Sequence, residues 1–228
     1  MKTETSLLNI VGITLRVLTF RATAEQLARL GNAHLAFGLI CTWIAGIGRS
    51  WDDVGASLLR KSGIGSVGYI FALSLLLWLV IAPLCQGRTD YKRILTFVSL
   101  TSPLGMLYAI PVEQFLARET SLQINVMFLT FVASWRVALL AFYFRRGAGL
   151  TWSEVVLSTL FPLSIIMAPL TILKAAHEVL STMGGLRENG APDTMAMVLG
   201  HLGTLSVWAF LPLLFWHQMA MRSGGHKN

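Results

Sequence analysis

The chain has 228 residues, 54% of them hydrophobic and only 13% charged, with a formal net charge of +7. An ordinary soluble domain carries about 25% charged residues, so a water-soluble globule is excluded as the simplest reading. In so apolar a chain the basic excess belongs to loops that meet anionic lipid headgroups, and nucleic acid is not expected as a partner.

Residues 1–29 are predicted to be a cytoplasmic N-terminal segment. Met1-Lys2, the apolar run Leu7–Phe20 and Ala22-Thr23-Ala24 imitate a secretory signal with its small-residue cleavage site. Arg16 interrupts that run and Arg21 stands beside the supposed site. The preferred reading is therefore an amphipathic helix in the membrane interface, with Leu7, Val11, Leu15 and Leu18 near helical spacing and Arg16 snorkelling to headgroups. A short seventh span over the same residues is the third alternative.

Residues 30–216 form the predicted membrane domain. Six long apolar stretches lie near Leu30–Gly48, Gly65–Leu84, Ile94–Val112, Leu122–Phe144, Trp152–Leu173 and Met195–Trp216. Each is about long enough to cross a hydrocarbon core of roughly 30 Å. The expected fold class is all-α, a polytopic transmembrane bundle of about six spans, followed by a short cytoplasmic tail over 217–228. Between the first two spans, Trp51–Arg60 reads as a short interfacial helix. Pro83 is expected to end the second span. Thr151 and Glu154 form a T-x-x-E capping box, Asn189-Gly190-Ala191-Pro192 reads as a turn, and Asp193 is placed to cap the sixth span.

Positive charge sets the expected orientation. With the N-terminus inside, the inner segments hold Arg16, Arg21, Arg29, Arg88, Lys92, Arg93, Arg145, Arg146 and Arg222, while the outer loops hold fewer cations and most of the acids. Both termini are expected to be cytoplasmic, in a plasma or bacterial inner membrane.

Several motifs invite chemistry and do not carry it. Gly63-Ile64-Gly65-Ser66-Val67-Gly68 spells G-x-G-x-x-G, but the dinucleotide fingerprint requires a preceding strand, and small-residue helix packing is the better reading. His177-Glu178 lacks the second histidine of a zinc helix, and Cys41 and Cys85 form no C-x-x-C pair. No metal, cofactor or catalytic residue is expected. His34 and His201 fall within spans as candidate polar sites that could meet across helices. Pro103, Pro111, Pro162, Pro169 and Pro212 are expected to kink their helices, as in transporters that bind ligand at broken helices.

Arg136 is the sharpest single feature, since a cation inside a span faces the bundle, a cavity or a partner. Two readings stand side by side. In one, Arg136 snorkels toward Arg145, about 13 Å along the helix, with Trp135 beside it. In the other it points inward to hydroxyls, to carbonyls freed by Pro103 and Pro162, or to an acidic ligand.

From about Tyr91 to Leu173, about a third of the chain, the order of features resembles the bacterial members of the Yip1 family. It runs from Tyr91-Lys92-Arg93 to Thr101-Ser102-Pro103 and Tyr108, then Trp135-Arg136 and Phe144-Arg145-Arg146. A Gly147-Ala148-Gly149-Leu150-Thr151 turn and Phe161-Pro162-Leu163 follow. The family typically has five spans, against six here. The resemblance implies a non-enzymatic membrane protein with an organising or protein-interaction role, linked in eukaryotic members to membrane trafficking. Expected partners are lipid and a membrane protein or second copy of the chain. The alternative function is a small transporter or channel built on Arg136 and the proline-interrupted helices.

Overall fold

The computed structural model describes residues 6–49, 51, 57–85, 89–173 and 193–224. Every regular element among them is helical: α1 (Leu7–Leu18), α2 (Ala24–Ala28), α3 (Asn32–Gly48), α4 (Leu58–Lys61), α5 (Ile64–Cys85), α6 (Tyr91–Leu100), the 3-10 turns η1 (Ser102–Ala109) and η2 (Val112–Gln114), α7 (Arg118–Arg146), α8 (Trp152–Ile172) and α9 (Asp193–Gly224). Ile64–Cys85, Glu119–Arg146 and Trp152–Ile172 are long and apolar enough to cross a membrane. Their outer faces remain apolar, as at Phe71, Leu79, Phe131 and Leu160, where a water-soluble bundle would carry charge.

The packing order follows from which residues touch. Trp43 donates from Nε1 to the Ser62 carbonyl at 2.8 Å, so the end of α3 meets the start of α5 and the two run antiparallel. A Cβ added at Gly46 would meet Ser66 along the same contact. Thr42 and Ser102 share a 2.6 Å hydroxyl bond. A Cβ added at Gly38 would meet Ser99, and one at Gly48 would meet Ala109. Gly38–Ser99, Thr42–Ser102 and Gly48–Ala109 rise together, so α3 runs parallel to α6 and η1. Phe97 stacks on Tyr143 at 4.3 Å, and Gly105, further on, lies against Arg136, earlier in α7, so α7 runs antiparallel to α6 and η1. Phe161 packs on Phe210 at 6.1 Å and on His217 at 5.1 Å, joining α8 to α9. His217 Nε2 lies 2.8 Å from the Val80 carbonyl and ties α9 to α5. The core between these helices is aliphatic and aromatic, with Leu77, Ile81, Phe97, Leu139, Phe144 and Leu157 wholly or almost wholly buried.

Before this bundle, α1 docks on α7. Its end is a Schellman turn: the Arg21 amide donates to the Arg16 carbonyl at 2.7 Å and the Phe20 amide to Val17 at 3.1 Å. Phe20 holds the left-handed position, φ 60°, which usually takes glycine because a Cβ there costs about 1–2 kcal/mol. Its ring offsets that strain by packing on Trp135 and Phe142, with centroids 5.2 and 5.7 Å apart. Trp135 donates to the Leu18 carbonyl at 2.9 Å. The Ala22-Thr23-Ala24 triplet that imitates a cleavage site is the start of α2: Ala22 is buried, and Thr23 makes a capping box with Gln26.

Several expectations change. The third predicted span is not one helix: α6 stops at Leu100, and the chain continues as the eight-residue η1 and then η2. Thr101-Ser102-Pro103 explains the stop, since proline disfavours the α conformation just before it and sits readily in the first turn of a new helix. Pro103 and Pro111 therefore open and cap 3-10 turns rather than standing inside a continuous helix, whereas Pro162, Pro169 and Pro212 lie inside α8 and α9. Pro83 does not end its helix, which runs on to Cys85. In Gly63-x-Gly65-x-x-Gly68, only Gly63 is constrained. It has φ +69°, and a Cβ would come within 2.7 Å of the Trp43 carbonyl, while Gly65 and Gly68 face open space. Close packing runs instead through Ser66 against Gly46. The Thr151–Glu154 capping box is present. The 189–192 turn, His177-Glu178 and most of the 51–60 helix lie outside the described residues.

Candidate anion site

Where α6 gives way to η1, the backbone comes close to α7. Gly105 leaves room there: a Cβ at this position would stand 3.5 Å from the Arg136 Nη2 and 3.5 Å from the Ala45 methyl. Helix side chains lean toward the start of their helix. Arg136 thus reaches toward Gly105 and the end of α3, away from Arg145. This placement, with the guanidinium beside Gly105, is the one the inward reading describes.

Three further residues gather round this guanidinium. Arg49 follows the last residue of α3, and its Cζ sits 5.3 Å above the ring of Tyr108 in η1. Tyr69 on α5 completes the group. Arg49, Tyr69 and Tyr108 are each near enough to Arg136 to feel its charge. Burial pulls Arg49 below its ordinary proton affinity, Tyr108 opposes that shift, and the Arg136 charge adds to it. Both guanidiniums nevertheless stay protonated, because arginine titrates far above physiological pH.

The site is electrostatically incomplete. The Nε atoms of Arg49 and Arg136 are shut off from solvent and have no hydrogen-bond partner among the described residues. Neither arginine belongs to the two ion pairs found among the described residues, Arg29–Glu25 and Arg93–Asp90. Desolvating a cation costs several kcal/mol that only a counter-charge or acceptors recover. A cation–π contact supplies part of this, about 0.5–2 kcal/mol. No bond from Arg136 to the expected hydroxyls is seen among the described residues: Ser99 donates to Thr96, Thr101 to Val98 and Ser164 to Phe161.

The histidines separate. His34 sits in the first turn of α3, buried, with Nδ1 accepting from the Gly31 amide at 3.3 Å and Nε2 without a partner among the described residues. His201 is exposed on α9, about 24 Å before His217 at roughly 1.5 Å per residue. His217 meets Val80 near the end of α5, the end of the bundle where α3 begins. His34 and His201 therefore belong to opposite ends and form no relay. His217, which carries no signal in the sequence, bridges α9 and α5. No group of three metal-ligating side chains occurs among the described residues.

Sequence reasoning finds Arg136 and misses its company. Arg49 reads as one more loop cation, and Tyr69 carries no signal. Gly105 does carry one: Pro103-x-Gly105 interrupts an apolar stretch, and such interruptions mark discontinuous helices at binding sites. No protein-family model, curated protein or solved structure matches the chain.

Proposed function

We propose that this is a six-span membrane protein, with both termini cytoplasmic, that binds and moves a small anion at Arg136. The observation that carries the reading is a pair of arginines, Arg49 and Arg136, whose Nε atoms are buried without partners among the described residues, beside the point where α6 gives way to the 3-10 segment η1. Discontinuous helices place ligand sites within the bilayer because irregular backbone there must line a site or be buried in protein. The helices α3, α5, α6–η1, α7, α8 and α9 supply the six crossings. Purified protein in liposomes should carry anion flux that falls at least tenfold in Arg136→Ala while the folded protein persists. Flux unchanged by that substitution, or absent from the parent, defeats the transport reading. A reporter active only in the cytoplasm, fused after Asn228 and separately after Arg118, checks the orientation: signal at both points is incompatible with it.

The organising role implied by the Yip1-like resemblance is the second reading. It is favoured by the outward stripe of α9, where Leu205, Trp208, Leu211 and Phe215 are 64–77% exposed. That stripe offers lipid or a partner helix a continuous apolar face. Under this reading flux is absent and Arg136 is dispensable.

A further inference from the structure

We infer that the ligand of the Arg49–Arg136 site is a phosphoryl dianion, either free phosphate or the headgroup of a phosphomonoester lipid. The inference rests on the anion reading above and narrows it. Two fixed positive charges stand together with no carboxylate seen beside them among the described residues, so a single negative charge leaves the site unbalanced and a double one neutralises it. Each guanidinium presents a planar fork of N–H donors, which matches the paired oxygens of phosphate or carboxylate and is wasted on a spherical halide. Tyr69 and Tyr108, on two other elements and near enough to Arg136 to feel its charge, bring two hydroxyls that can donate to further oxygens. Gly105 withholds a side chain beside the Arg136 Nη2, and that is where a bulky oxyanion needs space. Tyr69 is 37% exposed on α5, and Ala72, one turn on along the same face, is exposed as well. The site is thus edged by the bundle's lipid-facing surface, so a phosphate carried on a lipid can approach sideways as readily as a free one can from water.

The test uses the full chain in detergent and in nanodiscs. Inorganic phosphate should raise the thermal midpoint saturably, since a ligand that binds only the folded state stabilises it by mass action. Chloride at equal ionic strength should not. Affinity for phosphate should tighten as pH rises through its second ionisation. Arg136→Gln and Arg49→Gln should each weaken it at least tenfold, and Arg136→Lys, which keeps the charge and loses the fork, should weaken it too. If detergent-solubilised protein ignores free phosphate but nanodiscs containing phosphatidic acid stabilise it in an arginine-dependent way, the lipid is the source and the inference holds. Equal stabilisation by chloride and phosphate overturns the inference and leaves the anion reading standing. Stabilisation by neither phosphate nor phosphatidic acid, with Arg136-dependent flux of another anion, does the same. Should Arg136→Gln fail to fold, Arg49→Gln decides, because Arg49 lies beyond the end of its helix. A folded Arg49→Gln protein that binds phosphate like the parent overturns the two-arginine site.

Discussion

Two pairs of arginines in this molecule are treated in opposite ways. At the end of α7, Arg145 donates to the Leu150 carbonyl at 2.8 Å and stands 5.5 Å from the Trp152 ring. Arg146 reaches the Ala22 carbonyl at 3.5 Å and the face of Phe142. These cations lie at a helix C-terminus, where carbonyls and the helix dipole both favour positive charge, and they fasten the α2 segment and the turn into α8. Arg49 has one aromatic face to rest on, and the Nε atoms of Arg49 and Arg136 find no acceptor among the described residues. The first pair serves the fold. The second is held at the fold's expense, which is the usual sign of a group kept for a ligand.

That contrast can be broken or sharpened by substitution, each variant compared with the parent by thermal unfolding in one detergent. The largest loss should come from Phe20→Ala. It removes the ring that packs on Trp135 and Phe142 yet keeps a Cβ in the left-handed region, and a loss of about 3 kcal/mol is expected. Arg136→Leu should go the other way, raising stability by about 2 kcal/mol, because replacing an uncompensated charge with a packed apolar group removes a desolvation penalty. A drop in stability would mean that Arg136 anchors the bundle and would undo the comparison. His217→Phe keeps the volume but loses the bond to Val80, for a cost of about 1.5 kcal/mol. Thr151→Ala loses the cap of α8, about 1 kcal/mol. The smallest change is expected from Arg146→Ala, under about 1 kcal/mol, since its carbonyl contact is long and partly exposed.

The helices are legible in the sequence because unbroken apolar runs and caps are local. Thr151 and Glu154 sit three apart and announce α8 directly. Arg136 is legible because a lone cation in an apolar run violates a local rule. What stays hidden is set by tertiary contact. Gly105 and Arg136 are far apart in the chain, and only packing of η1 on α7 brings the two together. The break at Thr101-Ser102-Pro103 reads as a kink because hydropathy does not register the difference between a bent α-helix and a 3-10 segment. The G-x-G-x-x-G letters mislead for the converse reason: three glycines alike in sequence occupy one tight turn and two open positions.

The parallel seam between α3 and η1 has a consequence for how the chain is made. Neighbours that run the same way cannot meet until α5 has been laid down between them in the opposite sense, so Thr42 must wait for Ser102 through the synthesis of a whole intervening helix. It does not wait bare. Its hydroxyl also bonds the Gly38 carbonyl at 2.8 Å, and Ser99 bonds Thr96 at 2.9 Å, so both hydroxyls have a partner within their own helix before the two helices meet. Arg49 and Tyr108 flank the far end of that seam, and their encounter therefore belongs to a late stage of assembly.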